Sequence, residues 1–176
     1  MHYLVTGGLG YIGGHMAILL HSEGHKVTVF DNLSNSSTLA LERIQEICDY
    51  KIKLFQVDIS DKEALHTAFS RATTDNAFDG VFHFAGTKSK LNNDEFHFEN
   101  STNGAITLLD AMDKFEVFNL IFSSSAEIYR KSNSLPITED SEIVAVNTIC
   151  PDRFQMLKFL ETSSPFTNSI FNVLLK

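Results

Sequence analysis

What the chain has little of narrows it first. Only two of its 176 residues are cysteine, Cys48 and Cys150. That is too few for a disulfide framework, and they lack the spacing of a metal-ligand set. No stretch approaches the roughly 18 consecutive apolar residues that span a bilayer. Basic residues are scarce: 14 Lys and Arg stand against 22 Asp and Glu, a net charge of -8. A surface of that sign does not attract phosphate polymers, so nucleic acid is not an expected partner. No basic segment leads into an apolar stretch at the N-terminus, because strand-like residues 1–6 come at once. These absences predict a cytoplasmic chain with no membrane partner. What is present, 43% hydrophobic against 20% charged residues, suffices for the core of one ordinary domain and excludes disorder and fibrous repeats.

Short apolar runs alternate with stretches of helical period. Strands are predicted over residues 2–6, 26–30, 51–57, 80–84, 118–123 and 169–175. Helices are predicted over 11–23, 37–48, 61–72 and 152–161, and residues 106–114 lie within another. Ile12, Met16, Leu19 and Leu20 supply the apolar period of the first helix, and Gly24 stops it. Ser60 and Asp61 with Glu63 form an N-terminal cap signal for the helix over 61–72. Residues 130–146 look irregular. Such regular alternation predicts an α/β fold, a doubly wound parallel sheet of about six strands with helices on both faces. Ligands of such sheets sit at the carboxyl ends of the strands, where the winding reverses.

After the first strand comes Thr6-Gly7-Gly8-Leu9-Gly10-Tyr11-Ile12-Gly13, a G-x-x-G-x-x-G turn running straight into a helix. Gly7 allows the tight turn, Gly10 lets a pyrophosphate approach the backbone, and Gly13 lets the helix pack close to the sheet. The helix start offers free N–H groups and a partial positive charge to phosphate. Asp31, 24 residues after Gly7, ends the second strand. A carboxylate there accepts both adenosine ribose hydroxyls and repels a 2′-phosphate, which favours NAD over NADP. The alternative is a glycine-rich turn that binds nothing.

The runs Gly7-Gly8-Leu9-Gly10-Tyr11-Ile12-Gly13-Gly14-His15 and Asp31-Asn32-Leu33-Ser34-Asn35-Ser36-Ser37 closely resemble UDP-glucose 4-epimerases, of the extended short-chain dehydrogenase/reductase superfamily. Gly80 to Gly86 with Lys88, Asn100 and Asn103-Gly104 match as well, as do Ile121 to Ala126 and Leu135 to Asp140. Gly14 stands where that loop usually has Ser. The resemblance implies a Rossmann-like sheet of strand order 3-2-1-4-5-6, with residues 1–176 forming the dinucleotide-binding domain and NAD as cofactor. It also implies that the family's C-terminal substrate lobe is absent from these residues. Tyr11 and Ile12 would lie along the pyrophosphate, and Asp31, Asn32, Leu33, Ser34, Asn35 and Ser36 would hold the ribose. Asp58 and Ile59 would contact adenine, with Phe84, Ala85, Gly86, Lys88 and Asn100 along the middle of the cofactor. By position alone Asp58 also suits a helix cap, Phe84 and Ala85 suit core packing, and Lys88 suits a solvated surface.

The family moves a hydride from the sugar to NAD and back, using a Tyr base followed four residues later by a Lys that lowers its pKa. By the resemblance the Tyr position falls on Ile149 and the Lys position on Arg153, while Ser125 keeps the Ser position. Isoleucine carries no proton, and a guanidinium does not reproduce an ammonium. No Tyr-x-x-x-Lys occurs anywhere in the chain. Cys150 lies about 100° off that helical face and reads as a buried thiol. The related 4,6-dehydratases carry Thr-Asp-Glu where this chain has Ser125-Ala126-Glu127, so their general acid is missing too.

No metal is expected: Gly24 separates His21 from His25, and His83, within a central strand, reads as a satisfied core histidine. The 15 phenylalanines read as core filling, with Phe96, Phe98, Phe154 and Phe159 as candidates to face a missing lobe or partner. Three functions follow from the resemblance. The chain is an epimerase with impaired activity that binds UDP-hexose weakly; or an NAD-loaded pseudoenzyme acting with a second copy or partner chain; or a truncated product without function.

Overall fold

The computed structural model describes residues 1–86, 94–124, 136, 138 and 141, with the backbone alone described for 94–102. Strands β1 (His2–Thr6), β2 (Lys26–Asp31), β3 (Lys53–Gln56), β4 (Gly80–His83) and β5 (Leu120–Phe122) form one parallel sheet in the order β3-β2-β1-β4-β5. Helices α1 (Tyr11–Ser22), α2 (Thr38–Cys48), α3 (Lys62–Ala72) and α4 (Asp94–Lys114) connect them. The expected sixth strand (169–175) and the helix over 152–161 lie outside the described residues. The winding runs outward from β1 to β3, then returns to β4 on the other side of β1. The crevice therefore opens at the carboxyl ends of β1 and β4.

Alternation along the strands supplies two cores, one on each face of the sheet. Leu4, Phe30 and Val81 pack against Leu65 and Phe69 of α3 and Leu108 and Met112 of α4. Val5, Val27 and Val29 pack on the other face against Ala17 and Leu20 of α1 and Ile44 of α2. Phe30 is fully buried and meets Phe55, Phe69 and Phe78 edge-on, with ring centroids 5.3, 5.5 and 6.3 Å away. Truncating such a residue to alanine costs about 3–5 kcal/mol.

The first helix departs from its sequence pattern. Ile12 and Leu19, read as part of its apolar stripe, are 48% and 53% exposed. Its buried residues are Gly13, Gly14, Ala17 and Leu20. A Cβ on Gly13 would strike the Gly7 carbonyl oxygen, and one on Gly14 would sit 3.3 Å from Ile44 Cδ1. Closeness of approach, rather than side-chain bulk, decides which face of α1 turns inward. At its end Gly24 takes φ +81°, and the His25 N–H donates to the Leu20 carbonyl at 3.0 Å, so the chain leaves the helix there.

Asp61 caps α3, its carboxylate accepting the Ala64 N–H at 3.0 Å. α4 starts at Asp94, well before the expected stretch over 106–114. Asn100, Ser101, Thr102, Asn103 and Gly104 are poor helix formers and hid its first half. At the β3 edge, Lys53 Nζ lies 5.0 Å from the Phe55 ring centroid and the Arg71 guanidinium 5.9 Å from it. Two buried histidines pair with threonines of neighbouring strands. His2 Nε2 is 2.9 Å from Thr28 Oγ1, and His83 Nδ1 is 2.6 Å from Thr6 Oγ1. His83 also stacks on Phe122 at 5.6 Å and is the satisfied core residue expected of it. His21 stacks on Tyr50 while His25 meets Tyr3 edge-on, so the two rings have separate partners.

Candidate functional site

The turn after β1 is built on backbone contact. Gly7 has φ +67°, and a Cβ there would come within 2.6 Å of the Ala85 nitrogen. Its N–H donates to the Phe30 carbonyl at 2.8 Å, while the Phe84 N–H donates to the Thr6 carbonyl at 3.0 Å. The ends of β1, β2 and β4 are thus joined around one glycine. Gly10 differs: its φ of -75° suits any residue, and a Cβ there would meet only the Gly7 oxygen, at 3.2 Å. Backbone strain does not demand glycine at this exposed position; a Cβ would be tight only against the Gly7 oxygen, and its absence leaves the backbone open to close approach.

Gly10 is the N-cap of α1, and the first turn carries no side-chain cap and no acidic residue. The N–H groups of Tyr11, Ile12 and Gly13 meet no acceptor among the described residues. Unfilled donors and the helix dipole make this a place for an anion. Tyr11 and Ile12 are 85% and 48% exposed there.

Asp31, at the end of β2, is only 8% exposed and organises the neighbouring loops. Its Oδ2 accepts the Leu9 N–H of the glycine turn at 3.0 Å. Its Oδ1 accepts the Leu33 N–H at 2.9 Å and the Ser36 hydroxyl at 2.7 Å. Leu33 sits at φ +61°, a left-handed conformation that costs a bulky residue about 1 kcal/mol or more. The hydrogen bond to Asp31 helps hold it. Asn32 accepts the Ser34 N–H at 3.0 Å and donates to Asp58 Oδ2 at 2.8 Å, which links the β2 and β3 loops. Ser34 and Asn35 are exposed.

Asp58 does not cap a helix. Its Oδ1 accepts the N–H and hydroxyl of Ser60 at 2.9 and 2.6 Å. Burial works to raise its pKa, but the bonds from Ser60 and Asn32 outweigh it and hold the carboxylate below its ordinary 3.8. Ile59 packs against α4, where a Cβ on Gly104 would come 3.0 Å from Ile59 Cγ1.

The structure therefore brings together Gly7, Gly10, Tyr11, Ile12, Gly13, the loop Asp31 to Ser36, Asp58 and Ile59, and Phe84 to Gly86. Of Asn100 it describes the backbone, within α4. Lys88, Ser125, Ile149 and Arg153 lie outside the described residues. Leu9, Ser60 and Thr6 were not read from the sequence as site residues. Leu9 and Ser60 act through backbone N–H groups, which any residue but proline carries; Ser60 adds a hydroxyl two residues after Asp58, a recognisable turn signal. Among the described residues no cluster of three His, Cys, Asp or Glu could hold a metal ion, and no helix is long and apolar enough to cross a membrane.

Residues 3–151 match the NAD dependent epimerase/dehydratase family. The UDP-glucose 4-epimerase of Bacillus subtilis is 39% identical over 150 residues, which cover 84% of this chain and 43% of that protein. That of Dictyostelium discoideum is 40% identical over 147 residues, covering 82% of this chain and 42% of the relative. The chain thus spans less than half the length of these relatives. Among solved structures, the UDP-glucose 4-epimerase from Bifidobacterium longum, in complex with NAD+ and UDP, superposes with a TM-score of 0.84 at 31% identity, over 97% of this chain and 52% of that one. The enzyme from Stenotrophomonas maltophila, with bound NAD and formylated UDP-arabinopyranose, gives 0.78 at 35% identity, over 90% and 46%.

Proposed function

This chain belongs to the NAD dependent epimerase/dehydratase family, and from that premise we propose that it binds NAD as a UDP-glucose 4-epimerase-like protein and does not turn over sugar by itself. One observation carries the binding: the glycine turn, the unfilled N–H groups of α1 and the buried carboxylate of Asp31 stand together, with Leu9 bonded to Asp31 at 3.0 Å. These groups fit a pyrophosphate beside a ribose. Tyr11 and Ile12 receive the pyrophosphate at the start of α1, with Gly7, Gly10 and Gly13 keeping the backbone clear. The loop Asp31 to Ser36 surrounds the ribose, with the Asp31 carboxylate as its acceptor, and Asp58 and Ile59 form the adenine wall. Phe84, Ala85 and Gly86 line the middle, the stretch to which the family resemblance also assigns Lys88 and Asn100.

When bound, NAD supplies a hydride acceptor that can also return the hydride. The sugar-side work needs a base, and Ile149 stands at the family's Tyr position with Arg153 at its Lys position. Ser125 alone can share a substrate hydrogen bond. UDP-hexose is then held weakly. The companion reading is an NAD-loaded module in the cytoplasm that works with a second copy or partner chain over Phe154 and Phe159, whose segment has an apolar helical pattern.

Nucleotide released from purified protein, followed by calorimetric titration with NAD+, tests the binding. Stoichiometric binding supports it, and no heat at millimolar cofactor removes it. A UDP-galactose assay on the NAD-loaded chain tests the chemistry. Turnover at ordinary epimerase rates would show that Ile149 and Arg153 do not mark a lost site. Sedimentation of the loaded chain reads the oligomeric state.

A further inference from the structure

Asp31 already carries three donors. Leu33 N–H and Ser36 Oγ–H share Oδ1 at 2.9 and 2.7 Å, and Leu9 N–H takes Oδ2 at 3.0 Å. A carboxylate offers about four lone-pair positions, so one is left, on Oδ2. The adenosine ribose that the proposed NAD binding brings here has two adjacent hydroxyls. Two new donors make five on four positions, and at 8% exposure the carboxylate has little free surface to share.

One resident donor must therefore leave. Leu9 is 5% exposed and belongs to the packed glycine turn. Leu33 is held at φ +61° by the same bond that would have to break. Either could leave only if backbone moved. Ser36 is partly buried and reaches Asp31 through a side chain. Rotation about one bond releases it.

We propose that Ser36 is an internal stand-in for a ribose hydroxyl: its O–H keeps Asp31 saturated in the free chain and gives up its position when a vicinal diol arrives. This rests on the site being a nucleotide site. Ser36 is a positioning residue that sets the cost of admitting the second hydroxyl, so it discriminates a ribonucleotide from its 2′-deoxy form. A ligand with one hydroxyl takes the vacant position on Oδ2 and leaves Ser36 in place. A ligand with two has to displace it.

The test compares wild type with S36A and S36T, titrated by calorimetry with NAD+, ADP and 2′-deoxy-ADP. Ser36→Ala removes the competitor and should bind ADP about fivefold more tightly, the worth of roughly one net hydrogen bond. Its affinity for 2′-deoxy-ADP should stay within about twofold of wild type, because that ligand needs no displacement. Ser36→Thr, which keeps a hydroxyl, should return ADP affinity to the wild-type value. The ligand-free S36A chain should melt earlier than wild type, since a resident bond is gone. If wild type binds NAD+ and ADP but S36A binds ADP no more tightly, or gains equally for 2′-deoxy-ADP, the inference falls while the nucleotide site stands. If wild type binds neither NAD+ nor ADP, the site reading falls and takes this inference with it.

Discussion

The carboxylate of Asp31 and the backbone N–H of Leu9 meet at 3.0 Å across the ends of two parallel strands. The side chain proposed to receive the ribose thereby fixes the glycine turn proposed to receive the phosphates. Affinity and stability are coupled through one residue.

Replacing Asp31 by alanine strands the N–H of Leu9, which is 5% exposed, and releases Leu33 and Ser36. The variant should lose about 1–3 kcal/mol of stability in denaturant unfolding. NAD+ affinity should fall by at least about tenfold, the lower end of what charge-assisted hydrogen bonds contribute. Unchanged affinity in the folded variant would remove Asp31 from the site.

Two glycines of the turn should respond in opposite ways. A Cβ on Gly13 collides with the Gly7 oxygen, whereas one on Gly10 meets that oxygen at 3.2 Å and nothing else. Gly13→Ala should fail to fold or melt far below wild type. Gly10→Ala, which asks the Gly7 oxygen to give only a few tenths of an ångström, should melt much nearer wild type than Gly13→Ala and bind NAD+ more weakly, by about tenfold or more. Equal melting losses in both would assign Gly10 to packing.

His2 makes the fold sensitive to mild acid. Its Nδ1 donates to the Asn76 carbonyl at 3.2 Å and its Nε2 accepts from the Thr28 hydroxyl at 2.9 Å, an arrangement for the neutral ring. Burial lowers its pKa below 6.5, and the nearby Lys26 adds to this against weaker raising by Asn76, Ala77 and Asp79. The unfolded chain therefore takes up a proton first as pH drops through 6.5. Stability from this group is complete above 6.5, declines as pH falls below it, and stops declining beneath the folded-state pKa. Denaturant midpoints compared between about pH 7.5 and pH 5.5 should show a smaller drop in His2→Gln than in wild type. An equal drop would place the sensitivity elsewhere.

The α3–α4 surface should matter much less. Asp110 Oδ2 meets Lys62 Nζ at 3.1 Å and His66 Nε2 at 3.0 Å. The hydrogen bond from Lys62, against a small opposing effect of burial, lowers the Asp110 pKa below 3.8. Its contribution is present above that value and disappears as pH falls through the folded-state pKa. With the carboxylate 46% exposed, Asp110→Ala should cost under about 1 kcal/mol at neutral pH and less in high salt.

Much of this was legible in the sequence because it rests on residue types that backbone geometry requires. Gly7, Gly13 and Gly24 mark places where a Cβ or a negative φ does not fit, and the β-branched runs mark strands buried on both faces. The inward face of α1 was misread because hydrophobic period measures bulk, while Gly13, Gly14 and Ala17 win by letting backbones touch. The first half of α4 was hidden because tertiary packing overrides weak propensities such as those of Asn103 and Gly104. Ser36 could be read as a ribose residue, but not as a resident donor on Asp31. Such competition for lone pairs depends on angles and distances that only a folded loop defines.

The two cations set over Phe55 place charge beside the border strand β3. Lys53 and Arg71 set two positive charges on the face of β3 that carries Phe55, at the border of the sheet among the described residues, and charge at a border strand disfavours a foreign strand docking there. A foreign strand that approaches the β3 border must therefore desolvate two cations, a cost that the sheet sets against mispairing there.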